Sequence, residues 1–224
     1  MADGKRLIGP AGAVLLRRCA DRTGLTDPLA GVLPSSTAAG WRDRAGVLVH
    51  LAIAIVLGAA NLSEAEQLQL HHRPLFGIAA SDSTARSMLA VLDGATLAKI
   101  AKARAKVRRQ VWSLLHLRPG GFPWLTVAGK RLTGWIVIDL DATIITSASN
   151  LAADLDAWLR LLALHDIDGL ANAEPDTMRF RLYHLSARLA EHARRRWLRI
   201  ERTWPWATSF TTCWQQLTAL PAIT

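Results

Sequence analysis

Sixteen consecutive residues, Ala45 to Ala60 (AGVLVHLAIAIVLGAA), carry no Lys, Arg, Asp or Glu, and His50 is the one titratable side chain among them. Such a segment has to be covered on every side. A helix that crosses a bilayer takes roughly 20 apolar residues, and sixteen with a histidine inside fall short of that. The expectation is a buried core helix, with a membrane helix as the alternative. The rest of the chain must then supply the cover. With 224 residues, half of them apolar and a fifth charged, it has the length for one full domain or two small ones, and its composition excludes a disordered tail.

The flanking text is mostly helical. Ala11 to Cys19 reads as a helix and Pro28 to Ala39 as a loop. After Gly58-Ala59-Ala60-Asn61 the pattern Ser63-Glu64-Ala65-Glu66 reads as a capping box that opens another helix. Ser81-Asp82-Ser83-Thr84 starts the next, with Met88, Leu89 and Leu92 as its apolar stripe. Gly94 separates it from a long helix over roughly Thr96 to Leu117, whose Leu97, Ile100, Ala103, Val107, Val111 and Leu114 recur at helical spacing. Arg118-Pro119-Gly120-Gly121 breaks the period. Trp124 to Ala128 and Trp135 to Leu140 read as strands. Leu151 to Leu164 is an amphipathic helix, Pro175-Asp176 opens another, and Arg179 to Arg194 is expected to continue in that style. Arg194 to Ile200 is a basic strand or helix end, and Phe210 to Leu220 a closing helix.

Charge is distributed unevenly. The net charge is +9, and residues 1–150 hold 18 basic against 10 acidic side chains, whereas residues 151–224 hold 9 against 8. Between Gly94 and Ile138 there are nine Lys or Arg and no acid. Six of them, Lys99, Lys102, Arg104, Lys106, Arg108 and Arg109, lie in the long helix, with Lys99, Lys102, Lys106 and Arg109 opposite its apolar stripe. A basic face without balancing acids favours a polyanionic partner, with DNA the expected one; a solvated surface is the plain alternative. The nine Trp include candidates for base stacking, although Trp112 and Trp158 fall at core spacing in amphipathic helices.

Other chemistry is thin. Cys19 and Cys213 stand at opposite ends without a metal-type pair, which argues against a disulfide framework and fits a reducing cytoplasm. No secretory signal is expected, because Pro10 interrupts the short apolar start and no A-x-A site follows Arg17-Arg18. Adjacent His71 and His72 make a poor metal pair and are expected at the surface. There is no phosphate-loop motif and no nucleophile elbow. Asp139 and Asp141, two apart in Ile138-Asp139-Leu140-Asp141-Ala142-Thr143, would share one face of a strand and suit a hard divalent cation.

Three blocks in order, Ala45–Ala60, Phe76–Thr84 (FGIAASDST) and Ile138–Thr143 (IDLDAT), resemble bacterial insertion-sequence transposases of the DDE class. The tail resembles the end of the same proteins, through LAADL at 151–155, AWLRLL at 157–162, AEP at 173–175, RFRL at 179–182 and WPWA at 204–207. The resemblance implies a ribonuclease-H-like core in which an Asp, a second Asp and a Glu hold Mg2+ for in-line displacement at phosphorus. It places the first Asp at Asp141, with Asp139 as runner-up. It also implies DNA (transposon ends) as partner, assembly of several copies, no membrane partner, and a cytoplasmic, nucleoid-associated location.

The departure is the segment that in the family carries the second Asp and the Glu. Here Thr143 to Asn150 (TIITSASN) runs directly into the carboxy-terminal block, and beyond Asn150 no Lys occurs. The pattern looks like an internal deletion that joins the two ends of a transposase. The expected fold is mainly α with a small β element: a helical DNA-binding region over 1–117, a β fragment of the ribonuclease-H-like core over 118–150, and a helical tail over 151–224. The expected function is a transposase-derived DNA-binding protein that has lost strand cleavage. A truncated regulator that occupies transposon ends, and a membrane-associated helical protein, are the alternatives.

Overall fold

The computed structural model describes residues 7–33, 43–124, 126–127, 129–134, 147–192 and 195–221. In chain order the elements are β1 (Leu7–Ile8), α1 (Ala13–Arg22), α2 (Thr26–Val32), α3 (Arg44–Val56), α4 (Leu62–His71), α5 (Arg73–Phe76), α6 (Asp82–Ala90), α7 (Gly94–Leu117), β2 (Thr126–Val127), β3 (Lys130–Arg131), α8 (Ser147–Leu159), α9 (Pro175–Met178), β4 (Ala187–His192), β5 (Arg195–Ile200) and α10 (Ala207–Ala219). The fold is thus mainly helical with little strand, as expected.

The apolar segment forms α3, which sits at the centre of the core. Asp43 caps it by accepting from the Ala45 amide at 3.0 Å. Leu48, Val49 and Ala52 have no exposed surface, and Leu51, Ile53 and Ala54 have almost none. No described helix is long and apolar enough to cross a membrane; this one is covered by other helices instead.

Most of that cover comes from far along the chain. α8 lies along α3 and buries Leu151, Leu155, Trp158 and Leu159 against it, then widens into a π-helical turn over Arg160–Leu164. The open carbonyls at the C-terminal end of α3 are also met from the second half. Arg179 Nε donates to the Val56 carbonyl at 3.0 Å and His184 Nε2 to that of Leu57 at 2.8 Å. These donors satisfy acceptors that a helix cannot satisfy internally. α1 packs on α3, α8 and α10, and α2 bridges α3 to α7.

A small antiparallel sheet ties the two ends of the chain together, with strand order β1-β4-β5. Leu7 pairs with Arg188 and Ile8 with Ala187, while β4 and β5 run from Ala187↔Ile200 to His192↔Arg195. Next to the sheet, the amides of Ala11 and Gly12 donate to the carbonyls of Leu185 and Tyr183 at 2.7 and 2.9 Å. Between β5, α1, α5 and α10 lies an open pocket of about 440 Å3, lined by Leu75, Leu189, Trp197, Leu198, Phe210 and Trp214 among others. Cys19 on α1 and Cys213 on α10 are both free and buried, and burial pushes both thiols up.

Several expectations need correction. Residues 26–32 form α2 rather than a loop, because Pro28 falls in the first turn, where a missing amide costs nothing. The capping box lies two residues earlier than read. Asn61 Oδ1 accepts from the Glu64 amide at 2.9 Å, and Glu64 Oε2 accepts from the Ala60 amide at 2.8 Å. Glu66 instead accepts from the Asp82 amide at 2.8 Å and so ties α4 to the start of α6. His71 is exposed, but His72 is buried and donates through Nε2 to the Pro10 carbonyl at 2.8 Å. The helix expected over Arg179–Arg194 ends at Tyr183. From Ala187 the burial alternates with period two, Ala187 and Leu189 inward and Arg188 outward, because the segment pairs with two strands. The carboxy-terminal region is therefore not helical throughout. The strand expected over Trp135–Leu140 lies outside the described residues; of the β fragment expected over 118–150, the structure describes the β2–β3 hairpin and, from Ser147, the start of α8.

Two glycines test the tightness of the join between the chain's ends. A Cβ on Gly12 would stand 2.4 Å from Tyr183 Cα, whereas a Cβ on Gly31 meets nothing within 4 Å. Gly12→Ala is expected to cost about 3 kcal/mol through backbone displacement. Gly31→Ala, at an open helical site, should add about 0.5–1 kcal/mol. Urea unfolding of both variants measures the contrast.

Histidine burial sets an acid limit. His50 Nε2 faces the Arg17 guanidinium at 3.3 Å, and arginine only donates, so the imidazole accepts and is neutral. Burial pushes His50 down to about 4; Arg17 and His72 add to the shift and Asp43 opposes it. Burial also lowers His72, against its bond to Pro10. Between the usual histidine value of about 6.5 and pH 4 the unfolded chain binds the extra proton. Stability is then complete above pH 6.5 and falls as the pH drops towards 4, by about 3 kcal/mol from His50. Urea midpoints from pH 7.5 to 4.5 should show the fall, and His50→Gln should flatten it.

Candidate nucleic-acid interface

The long helix α7 starts at Asp93, whose carboxylate accepts from the Thr96 amide at 2.7 Å. The hydrogen bonds from Thr96 hold the Asp93 carboxyl below the usual aspartate value. Thr96, Ile100, Ala103, Val107, Val111 and Leu114 are buried. The apolar stripe is thus the one read from the sequence, with Leu97 partly buried beside it.

The six basic residues separate by face. Lys99, Lys102, Lys106 and Arg109 are all exposed, follow one another at steps of three, four and three residues, and make no ion pair among the described residues. At 1.5 Å of rise per residue the stripe is about 15 Å long. Arg104 points the other way. Its Nε lies 2.7 Å from Asp154 on α8, its Nη2 donates to the Asn150 carbonyl at 3.2 Å, and its side chain is only 12% exposed. Arg108 is intermediate, exposed but 4.0 Å from the other oxygen of Asp154. Arg104 is therefore a structural contact between α7 and α8, and four or five of the six remain open to a ligand.

Beyond Arg109 the same face changes from basic to aromatic. Trp112 and the ring of Phe122 stack at 6.2 Å and 19°, His116 lies 4.9 Å from Phe122, and Trp124 lies 4.5 Å from it. Trp112 is 44% exposed, which corrects its reading as a core residue, whereas Trp158 is buried as expected. The spacing held the signal: Trp112 and His116 continue the 99, 102, 106, 109 series. Arg131 Nη2 donates to the Phe122 carbonyl at 3.3 Å, and Lys130 and Arg131 are exposed on the β2–β3 hairpin that follows.

At the foot of this platform Arg118 is fully buried. Its Nη1 donates to Asp166 at 2.8 Å, and its Nε and Nη2 have no hydrogen-bond partner among the described residues. The chain then turns through Gly120 and Gly121 at φ of +86° and +74°. A Cβ at Gly120 would lie 2.9 Å from Asp166 Oδ2, so both the turn and the carboxylate exclude a larger residue.

Asp139 and Asp141, the two residues expected to hold magnesium, lie outside the described residues. Among the described residues no group of three or more His, Cys, Asp or Glu side chains stands close enough to hold a metal. The described residues thus supply no donor set for Mg2+. Comparison of the chain with protein-family models, with curated proteins and with solved structures returned no match.

The Asp154 contact is testable. Asp154→Ala leaves Arg104 nearly buried without its anion, at an expected cost of about 3–5 kcal/mol. Asp154→Ala combined with Arg104→Met restores much of it, because the buried charge is removed together with its partner. Denaturant unfolding of the single and double variants gives the comparison.

Proposed function

We propose that this chain is a transposase-derived DNA-binding protein that holds duplex DNA along α7 without cutting it. The observation that carries the reading is the stripe Lys99, Lys102, Lys106 and Arg109, without an ion pair among the described residues, which runs into exposed Trp112 and His116 and the half-buried rings of Phe122 and Trp124. Four cations in a row on a rigid helix suit the phosphate backbone, which attracts them without regard to sequence. No acid lies between Gly94 and Ile138 to weaken that field.

The transposase origin rests on the ordered sequence blocks, and one packing feature supports it. The blocks on either side of Asn150 share a core, with α8 along α3, α10 on α1 and β4 beside β1. Two ends of a longer protein that were neighbours in its fold would still pack after the segment between them was lost. Phosphoryl transfer of this class draws on three acids, and the text passes from Asp141 to the tail without the other two. The protein would then occupy DNA ends and compete with an intact enzyme.

Fluorescence anisotropy with a labelled 20-base-pair duplex tests the reading between 50 and 300 mM salt. Wild-type affinity should fall steeply with salt, and replacing Lys99, Lys102, Lys106 and Arg109 by Ala should reduce the log–log slope by about one unit per cation removed. A salt-independent affinity, or a slope unchanged in the quadruple variant, overturns the interface. Mg2+-dependent nicking that disappears in Asp141→Ala overturns the non-cutting half.

A further inference from the structure

We infer that the outer face of the β1-β4-β5 sheet is a second nucleic-acid surface, one that takes single strands by stacking a base on Trp197 between unpaired arginines. The choice of polymer rests on the DNA reading above, but the observations are separate. Residues directly opposite in an antiparallel pair share a face. The register Arg188↔Arg199 and Ala190↔Trp197, with Arg195 two residues before Trp197, therefore places three arginines and one indole together. Arg188, Arg195 and Arg199 are exposed, and Trp197 is 53% exposed.

The charge on this face is unbalanced. Arg188 and Arg199 stand directly across from each other, an arrangement that destabilises a strand pair unless an anion lies between. No described carboxylate does so. Glu191, the one acid of the hairpin, is on the opposite face by parity and pairs there with Arg196 at 3.4 Å. None of the three arginines forms an ion pair among the described residues. The face thus complements a polyanion.

The indole selects its form. Ala190, opposite Trp197, is too small to cover the ring. In duplex DNA the bases are already stacked and paired, so an exposed indole on a flat sheet gains little. A single strand presents unstacked bases that can lie on the ring while its phosphates reach the flanking arginines. Arg195 and Arg199 are four residues apart, about 13 Å along the strand, so phosphates on either side of the stacked base come within reach.

Binding of fluorescein-labelled dT12, with the 20-base-pair duplex as second probe, tests the inference on the full chain. Trp197→Ala should weaken dT12 binding about tenfold or more, Trp197→Phe should keep most of it, and duplex binding should change less than twofold. Arg188→Ala with Arg199→Ala should lower the salt slope for dT12 by about 1.5 units, with no fall in Tm, because the pair removed is repulsive. The quadruple α7 variant should lose duplex affinity and keep dT12. Wild-type-like dT12 binding by Trp197→Ala, or no dT12 binding by the wild type, overturns this surface and leaves the α7 interface standing. Loss of dT12 binding in the α7 variant with none in the sheet variants assigns both probes to α7 and also rejects the sheet.

Discussion

The need to cover α3 on all sides organises the molecule. An amphipathic helix can rest one face on a neighbour and leave the other in water, but α3 is apolar nearly all round and has to be enclosed. Its own sequence neighbours do part of this, through α1, α2 and α4. The long contact is with α8, which begins about a hundred residues later, and the helix end is finished by Arg179 and His184 from later still. The core is therefore closed by the carboxy-terminal block, not merely decorated by it.

The same block decides which cations stay free. Asp154 draws Arg104 inward and Asp166 draws Arg118. Asp156 takes Arg160 at 2.7 Å and the Tyr183 hydroxyl, which burial and the neighbouring carboxylate push above the usual tyrosine value. Arg160 extends that cluster to the Ala173 carbonyl at 2.5 Å. These acids are spent on inward-pointing groups that would be costly to bury alone. Lys99, Lys102, Lys106 and Arg109 on α7, and Arg188, Arg195 and Arg199 on the sheet, form no ion pair among the described residues, so positive charge is left unbalanced on those two faces.

How much of this was legible in the sequence depends on the range of the interaction. The unbroken apolar run of α3 and the 3.6-residue pattern of α7 stand as helices where the sequence put them, because both signals are local. Ser81 as the cap of α6 is equally local, its hydroxyl accepting from the Thr84 amide at 3.2 Å. The strand β4 escaped because Ala187 and Leu189 are too short a period-two run to outweigh the helical text before them, and pairing with β1 and β5 decided the outcome. The inward turn of Arg104 was invisible for a similar reason: its carboxylate is fifty residues away. Trp112 was misplaced because its position in an amphipathic helix was read as core spacing, whereas it continues the 99, 102, 106, 109 series of the basic stripe. Asp139 and Asp141 fall outside the described residues, so that part of the reading still rests on the resemblance.

The pairing of Leu7 and Ile8 with Arg188 and Ala187 has a kinetic consequence. During synthesis the amino-terminal helices leave the ribosome well before the strand and helix that complete them. For that interval α3 has no partner along its α8 side, and a chaperone or another nascent chain is the nearest apolar surface available to it. Topologies dominated by such distant pairings close slowly, because the intervening loop entropy is lost before the contacts form. Yield in the cell should therefore depend on translation speed and holdase capacity more strongly than the number of buried side chains would suggest.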